Sequence, residues 1–120
     1  MTDDGKPRWD LLPEPLPSPV RGVKSDDGKA RWDLLPWEQV ESVVRVLGFG
    51  ARKYAPDNWM HIEEPRRRYI AAALRHVVAR CRGEVLDPET GEPHAAHAVC
   101  CLLFLMWHDD RARRAAADGT

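Results

Sequence analysis

The chain has 120 residues and a mass of 13.6 kDa, which leaves room for one domain. Hydrophobic residues make up 43% and charged residues 31%, a balance that excludes a disordered chain. Eighteen basic against nineteen acidic side chains give a formal net charge of -1, which argues against a general electrostatic grip on a polynucleotide. The longest apolar run, 95–107, is shorter than the roughly 18–20 residues that span a bilayer, so it reads as a buried helix and no membrane partner is expected. The N-terminus, MTDDGKPRWD, is acidic and has no apolar signal core. Three cysteines (Cys81, Cys100, Cys101), two of them adjacent, argue against a disulfide framework. A reduced, cytoplasmic protein is expected.

Residues 3–13 (DDGKPRWDLLP) and 26–36 (DDGKARWDLLP) are near-copies that differ only at Pro7 and Ala30. Five of the ten prolines fall in the first 19 residues, so 1–25 is expected to be an extended, proline-rich arm. The domain proper is then 26–117. In the second copy, Trp32, Leu34 and Leu35 are expected to pack on the bundle while Lys29, Arg31 and Asp33 stay polar. The first copy offers the same groups to the same groove. A core this small also predicts self-association, as a homodimer at least.

From 36 to 48 the pattern is helical, with Val40, Val43, Val44 and Leu47 on one face and Glu38, Glu41 and Arg45 on the other. Gly48 and Gly50 are expected to end that helix. Residues 48–64 read as a loop with one helical turn at most. Pro65 opens a second helix, 65–82, whose apolar stripe is Ile70, Leu74, Val77, Val78 and Cys81. Pro93 opens a third, 93–117, apolar nearly all round and therefore central. No alternating run of β-branched residues is present. The expected fold is all-α, a small bundle of three main helices.

The third helix carries the most informative constellation. His94 and His97 stand three apart, so their imidazoles share a face and could hold one metal ion. The plain alternative is a pair that caps the helix or faces solvent. Cys101, four further on, reads better as a small buried hydrophobe than as a ligand. Glu38 and Glu41 at i, i+3 could chelate Mg²⁺ or Mn²⁺, or form a solvated face with Glu41 paired to Arg45. Lys53, Tyr54, Asn58 and Trp59 supply a cation, two rings and an amide, groups that hold phosphate and stack on a base. The same loop could equally be a hydrophobic anchor. Arg75 and His76 are polar residues inside an apolar helix, a second hint of a site.

Taken in order, K-x-R-W-D-L-L-P-x-E-x-x-E, F-G-A-x-K-Y, N-W, R-H and G-E-x-x-D-P-E-T-G-x-P-H-x-x-H-A resemble the phage-type dATP/dGTP diphosphohydrolase family. That family is similar to the all-α, MazG-like nucleoside triphosphate pyrophosphohydrolases. The resemblance implies a metal-dependent enzyme of nucleotide metabolism, cleaving (deoxy)nucleoside triphosphates to monophosphate and pyrophosphate. It implies Glu38 and Glu41 as metal ligands, one of them also the general base. Lys53 and Arg75 would hold the pyrophosphate, and Tyr54, Asn58, Trp59 and His76 would complete the substrate site. Where the related enzymes carry a second carboxylate pair, this chain has His94 and His97, which shifts the expected metal from Mg²⁺ toward Mn²⁺, Co²⁺ or Zn²⁺. Glu84 and Asp87, in the preceding loop, are the other source of the missing carboxylates. Cys101 stands where related sequences often have asparagine. A non-enzymatic helical binding module and a phosphohydrolase of another ester are the competing readings.

Overall fold

The computed structural model describes residues 21–119, so the first copy of the repeat and most of the proline-rich arm lie outside it. Residues 21–31 fall in a unit separate from the helical one, which begins at Trp32. Within the first, Gly28 at φ 78° makes a turn closed by Lys29 N–H to the Asp26 carbonyl at 3.0 Å. The helical unit contains α1 (Trp37–Lys53), α2 (Pro65–Cys81) and α3 (His94–Ala117). Short 3₁₀ turns cover Trp32–Leu34 and Asn58–His61. Among the described residues the β content is one isolated bridge, Leu86 to Pro93. The fold is all-α.

α3 is the spine, packing against both other helices. Its antiparallel register with α2 is pinned at three levels. Arg66 pairs with Asp109 at 3.3 Å, the Tyr69 ring meets the Phe104 edge, and His76 meets His94 and His97. On its other flank Ala96 and Cys100 form a small core with Val46, backed by Val43, Leu47 and Phe104. The Cys100 thiol donates to the Val43 carbonyl at 3.5 Å. The 58–61 turn is held by Trp59, stacked on Phe104 at 4.6 Å and edge-on to Trp107.

Several expectations are corrected. α1 runs five residues past Gly48, to Lys53, because neither Gly48 nor Gly50 takes a positive φ and the Tyr54 N–H closes the last turn on the Gly50 carbonyl. Packing of α1 on α3 outweighs the roughly 1 kcal/mol that each glycine costs in a helix. On α1 the buried residue is Val46, whereas Val44 faces outward. The apolar stripe of α2 also faces outward. Ile70, Leu74, Val77, Val78 and Cys81 are all exposed, and Ala73 is the residue α2 buries. Trp32 and Leu34 do not pack on the bundle either, being 68% and 70% exposed.

Candidate functional site

The site is built by the loop between α2 and α3. Gly83, at φ 100°, turns the chain after α2, and Gly91, at φ 75°, allows the reversal back toward α3. Asp87 N–H donates to the Glu92 carbonyl at 2.8 Å, and His94 N–H donates to the Val85 carbonyl at 2.9 Å. Asp87 Oδ1 accepts the backbone N–H groups of Glu89 and Thr90 at 2.8 and 3.1 Å. That leaves Oδ2 turned toward His76 and His94, at 4.0 and 3.9 Å. The loop is tied to α1 by Arg45 to Glu92 at 2.8 Å and Lys53 to Glu89 at 3.0 Å.

Three donors converge there. His76, Asp87 and His94 each offer a ligand atom, and these atoms all lie within 4.8 Å of one another. His76 Nδ1 and His94 Nδ1 are 2.8 Å apart. His94 is buried, and its Nε2 lies 2.6 Å from Glu84 Oε1. A carboxylate only accepts, so Nε2 carries the hydrogen and Nδ1 keeps its lone pair toward the cluster. His97 stacks on His76 at 4.5 Å and places Nε2 2.7 Å from the Thr90 hydroxyl.

Electrostatics keep the donors in a ligating state. Burial lowers the His76 pKa, and the neighbouring His97 and His94 rings add to that. Burial likewise lowers His97, with His94 contributing against the opposing pull of Asp87. Both rings are therefore neutral at pH 7. Burial alone would raise the Asp87 carboxyl, but the Glu89 and Thr90 N–H groups and the two imidazoles bring it below the usual range. A four-coordinate ion with bonds of about 2.0–2.2 Å sets its donors roughly 3.3–3.6 Å apart. The observed 2.8–4.0 Å separations bracket that spacing. Two imidazole nitrogens and one carboxylate oxygen suit Mn²⁺, Co²⁺ or Zn²⁺ better than Mg²⁺.

A cleft of about 1180 Å³ opens beside this cluster. His76 and His97 line it, Lys53, Arg68 and Arg75 add positive charge, and Tyr54, Trp59 and Phe104 add aromatic surface. A cleft with cations and rings at the edge of a metal-ligating group suits an anionic, ring-bearing small molecule.

The sequence profile of the family described as dATP/dGTP diphosphohydrolase, N-terminal, matches residues 19–118. The chain belongs to this family. A relative in Salmonella phage PMBT28, named dATP/dGTP diphosphohydrolase, is 38% identical over an alignment of 86 residues that covers 66% of this chain. The aligned part is 29% of that relative, so the chain spans under a third of its length. No solved structure matches the chain. The profile takes in the second DDGKxRWDLLP copy and leaves out the first.

Within this diphosphohydrolase-family domain, the candidate residues fall into separate groups. His94 and Asp87 come together, and His76, expected at the substrate, joins them as the third donor. His97 stands beside the group, on Thr90 and against His76, and is not one of its three donors. Glu84 acts on His94 from behind. Glu38 and Glu41 are exposed on α1 and are absent from the three-donor group. Glu41 sits 3.8 Å from Arg45, whose closer partner is Glu92. Lys53, Tyr54, Asn58, Trp59 and Arg75 all line the cleft, with Lys53 held by Glu89 and Trp59 stacked on Phe104. Burial pushes the Cys100 thiol up to about 12 and raises Cys101 too, so both stay protonated. The signal that marks His76 in the sequence is its polarity at an α2 position facing α3.

Proposed function

We propose that this domain hydrolyses purine deoxynucleoside triphosphates, dATP and dGTP, to the monophosphate and pyrophosphate, with a divalent metal held by His76, Asp87 and His94. The observation that carries the reading is the cleft itself, whose aromatic and cationic walls meet the donor group at His76. The purine preference comes from the name of the phage relative. When bound, the ion supplies Lewis-acid chemistry, neutralising phosphate charge and acidifying water.

The chain's own residues then divide the work. Glu84 fixes the His94 ring through Nε2, and Glu89 and Thr90 N–H groups fix the Asp87 carboxylate. Arg75, exposed on the cleft wall, and Lys53 bind the phosphates. Tyr54, 66% exposed, offers its ring to the base, and Asn58 offers an amide to its edge. Trp59 shapes that wall from its seat on Phe104. By family resemblance, Glu38 and Glu41 would receive the Mg²⁺ that accompanies the triphosphate, with one of them as general base. The domain acts in the cytoplasm on a small nucleotide, without a polynucleotide partner.

A second reading follows from the relative's greater length. This domain would then bind nucleotide for a catalytic part elsewhere. A panel of dNTPs and NTPs with Mg²⁺, Mn²⁺, Co²⁺ or Zn²⁺, read by chromatography of the monophosphate and by pyrophosphate release, separates the two. Metal-dependent turnover of dATP and dGTP is expected, and it should be lost in Asp87→Asn. Nucleotide binding without turnover under any metal overturns the enzymatic reading in favour of the binding module.

A further inference from the structure

We propose that Arg68 reads guanine and Asn58 reads adenine, so that one cleft accepts both purines through two different side chains. The proposal rests on the nucleotide reading above. Arg68, Ala71, Ala72 and Arg75 line the cleft and stand at i, i+3, i+4 and i+7 of α2. They form one strip of the helix, with a cation at each end and two methyl groups between. The two arginine positions are separated by about 10.5 Å along the helix axis.

The two ends of that strip differ in chemistry. His76, one of the three donors, adjoins Arg75, and His97 stacks on it at 4.5 Å. The antiparallel register puts Arg68 at the other level, where Tyr69 meets Phe104 and Trp59 stacks on Phe104 at 4.6 Å. The Tyr69 hydroxyl donates to the Trp59 carbonyl at 3.4 Å, which holds the 58–61 turn, and Asn58 with it, at this aromatic end. A nucleotide lying along the strip keeps its phosphates at Arg75 and the ligating end, so its base falls at Arg68 and Asn58.

Arg68 is the arginine of its run that is left available. Arg66 pairs with Asp109 at 3.3 Å and Arg67 with Glu64 at 2.8 Å, whereas no carboxylate among the described residues pairs with Arg68. The chemistry of the two side chains then divides the purines. Guanine presents O6 and N7, two acceptors side by side, and a guanidinium fork donates to both. Adenine presents N7 beside an N6 amino donor, from which an arginine cannot accept. A carboxamide offers one donor and one acceptor, the complement of that edge, and Asn58 supplies it.

The test is titration calorimetry of the full chain with dGTP, dATP and 7-deaza-dGTP in Ca²⁺, the nucleotide being recovered and chromatographed to verify that it is intact. Arg68→Lys keeps the charge and loses the fork, so it should cut the ratio of dGTP to dATP affinity by at least about fivefold. Asn58→Ala should raise that ratio by at least about fivefold. On the wild type, 7-deaza-dGTP, which lacks the N7 acceptor, should bind at least about fivefold more weakly than dGTP. That arm needs no variant and decides even if a substitution disturbs the fold. A wild type that binds both dATP and dGTP, with a ratio that Arg68→Lys moves by less than this, overturns the base assignment and leaves the nucleotide reading standing. Equal losses of both nucleotides in Arg68→Gln, restored by Arg68→Lys, would make Arg68 a phosphate contact and overturn it as well. Failure of the wild type to bind either nucleotide overturns the nucleotide reading itself.

Discussion

His76 Nδ1 and His94 Nδ1 face each other at 2.8 Å across the α2–α3 contact, a distance at which one proton is shared between two lone pairs. With Nε2 of His94 committed to Glu84, the hydrogen in that contact comes from His76. A cation at this point would take the place of that hydrogen and gain Asp87 as well, with the neutral His76 ring carrying its one hydrogen on Nε2 instead. Metal binding here would be a change of tautomer at His76, with no net proton released at neutral pH.

The first prediction concerns Glu84, which holds His94 without belonging to the donor group. Glu84→Gln should weaken Mn²⁺ or Zn²⁺ binding by about 10–100-fold, as loss of a carboxylate behind a ligating imidazole does. Titration calorimetry measures it directly. Chelation should lower the melting temperature of the wild type, since an ion at 100 times its Kd stabilises by about 2.7 kcal/mol. Equal affinity in the variant and the wild type contradicts the assignment.

The metal-free protein should lose stability as pH falls below about 6.5. Unfolded imidazoles titrate near that value, whereas His76 and His97 titrate lower in the folded chain. Between the two values the unfolded state binds more protons, so unfolding is favoured by acid. Asp87 has the ordinary carboxylate sign, and its contribution disappears only as pH falls below its unfolded value near 3.8. Urea midpoints measured with chelator at pH 7.5 and 5.5 should therefore drop at the lower pH. A rise on acidification would falsify the assignment of neutral imidazoles.

Glu41→Gln should reduce turnover at least tenfold while changing stability by less than about 0.5 kcal/mol. Glu41 is exposed, and its contact with Arg45 is a loose 3.8 Å pair that Arg45 does not depend on. Steady-state rates with Mg²⁺ and a thermal melt supply both numbers. Unchanged turnover would move the whole chemistry to the histidine centre.

Gly50→Ala should stabilise the protein by about 0.5–1 kcal/mol. Gly50 is helical, and a Cβ added there meets nothing within 4 Å. For a domain of this size the melting temperature should rise by roughly 2–8 °C. A fall would mean that the space beside Gly50 is used by something outside the single chain.

The helices and the ligating loop were readable in the sequence for different reasons. Proline at 65 and 93 and glycine at 83 punctuate the chain, and the helix boundaries fall within two residues of them. The extension of α1 through Gly48 and Gly50 was not readable, because propensity sees two poor helix formers and does not see α3 packed beside them. Periodicity located the apolar stripe of α2 and misjudged its neighbour. A repeat of apolar residues says that a face is dry without saying which element dries it. The His76 role was hidden for a related cause. His94 and Asp87 are seven apart in one segment, whereas His76 reaches them only through the antiparallel register of two helices.

Lys53 spends the resting state on Glu89, at the rim of the cleft that the triphosphate would enter. An incoming phosphate would have to evict a carboxylate from this lysine instead of meeting a bare cation. The exchange leaves the number of ion pairs at that side chain unchanged, so the salt that screens the new contact equally screens the one it replaced. Ionic strength should accordingly act on nucleotide affinity mainly through Arg68 and Arg75. Release of Glu89 would remove one of the two ion pairs that tie the loop to α1 and leave the other, Arg45 to Glu92, in place, so occupancy of the cleft would bear on the segment that carries Asp87.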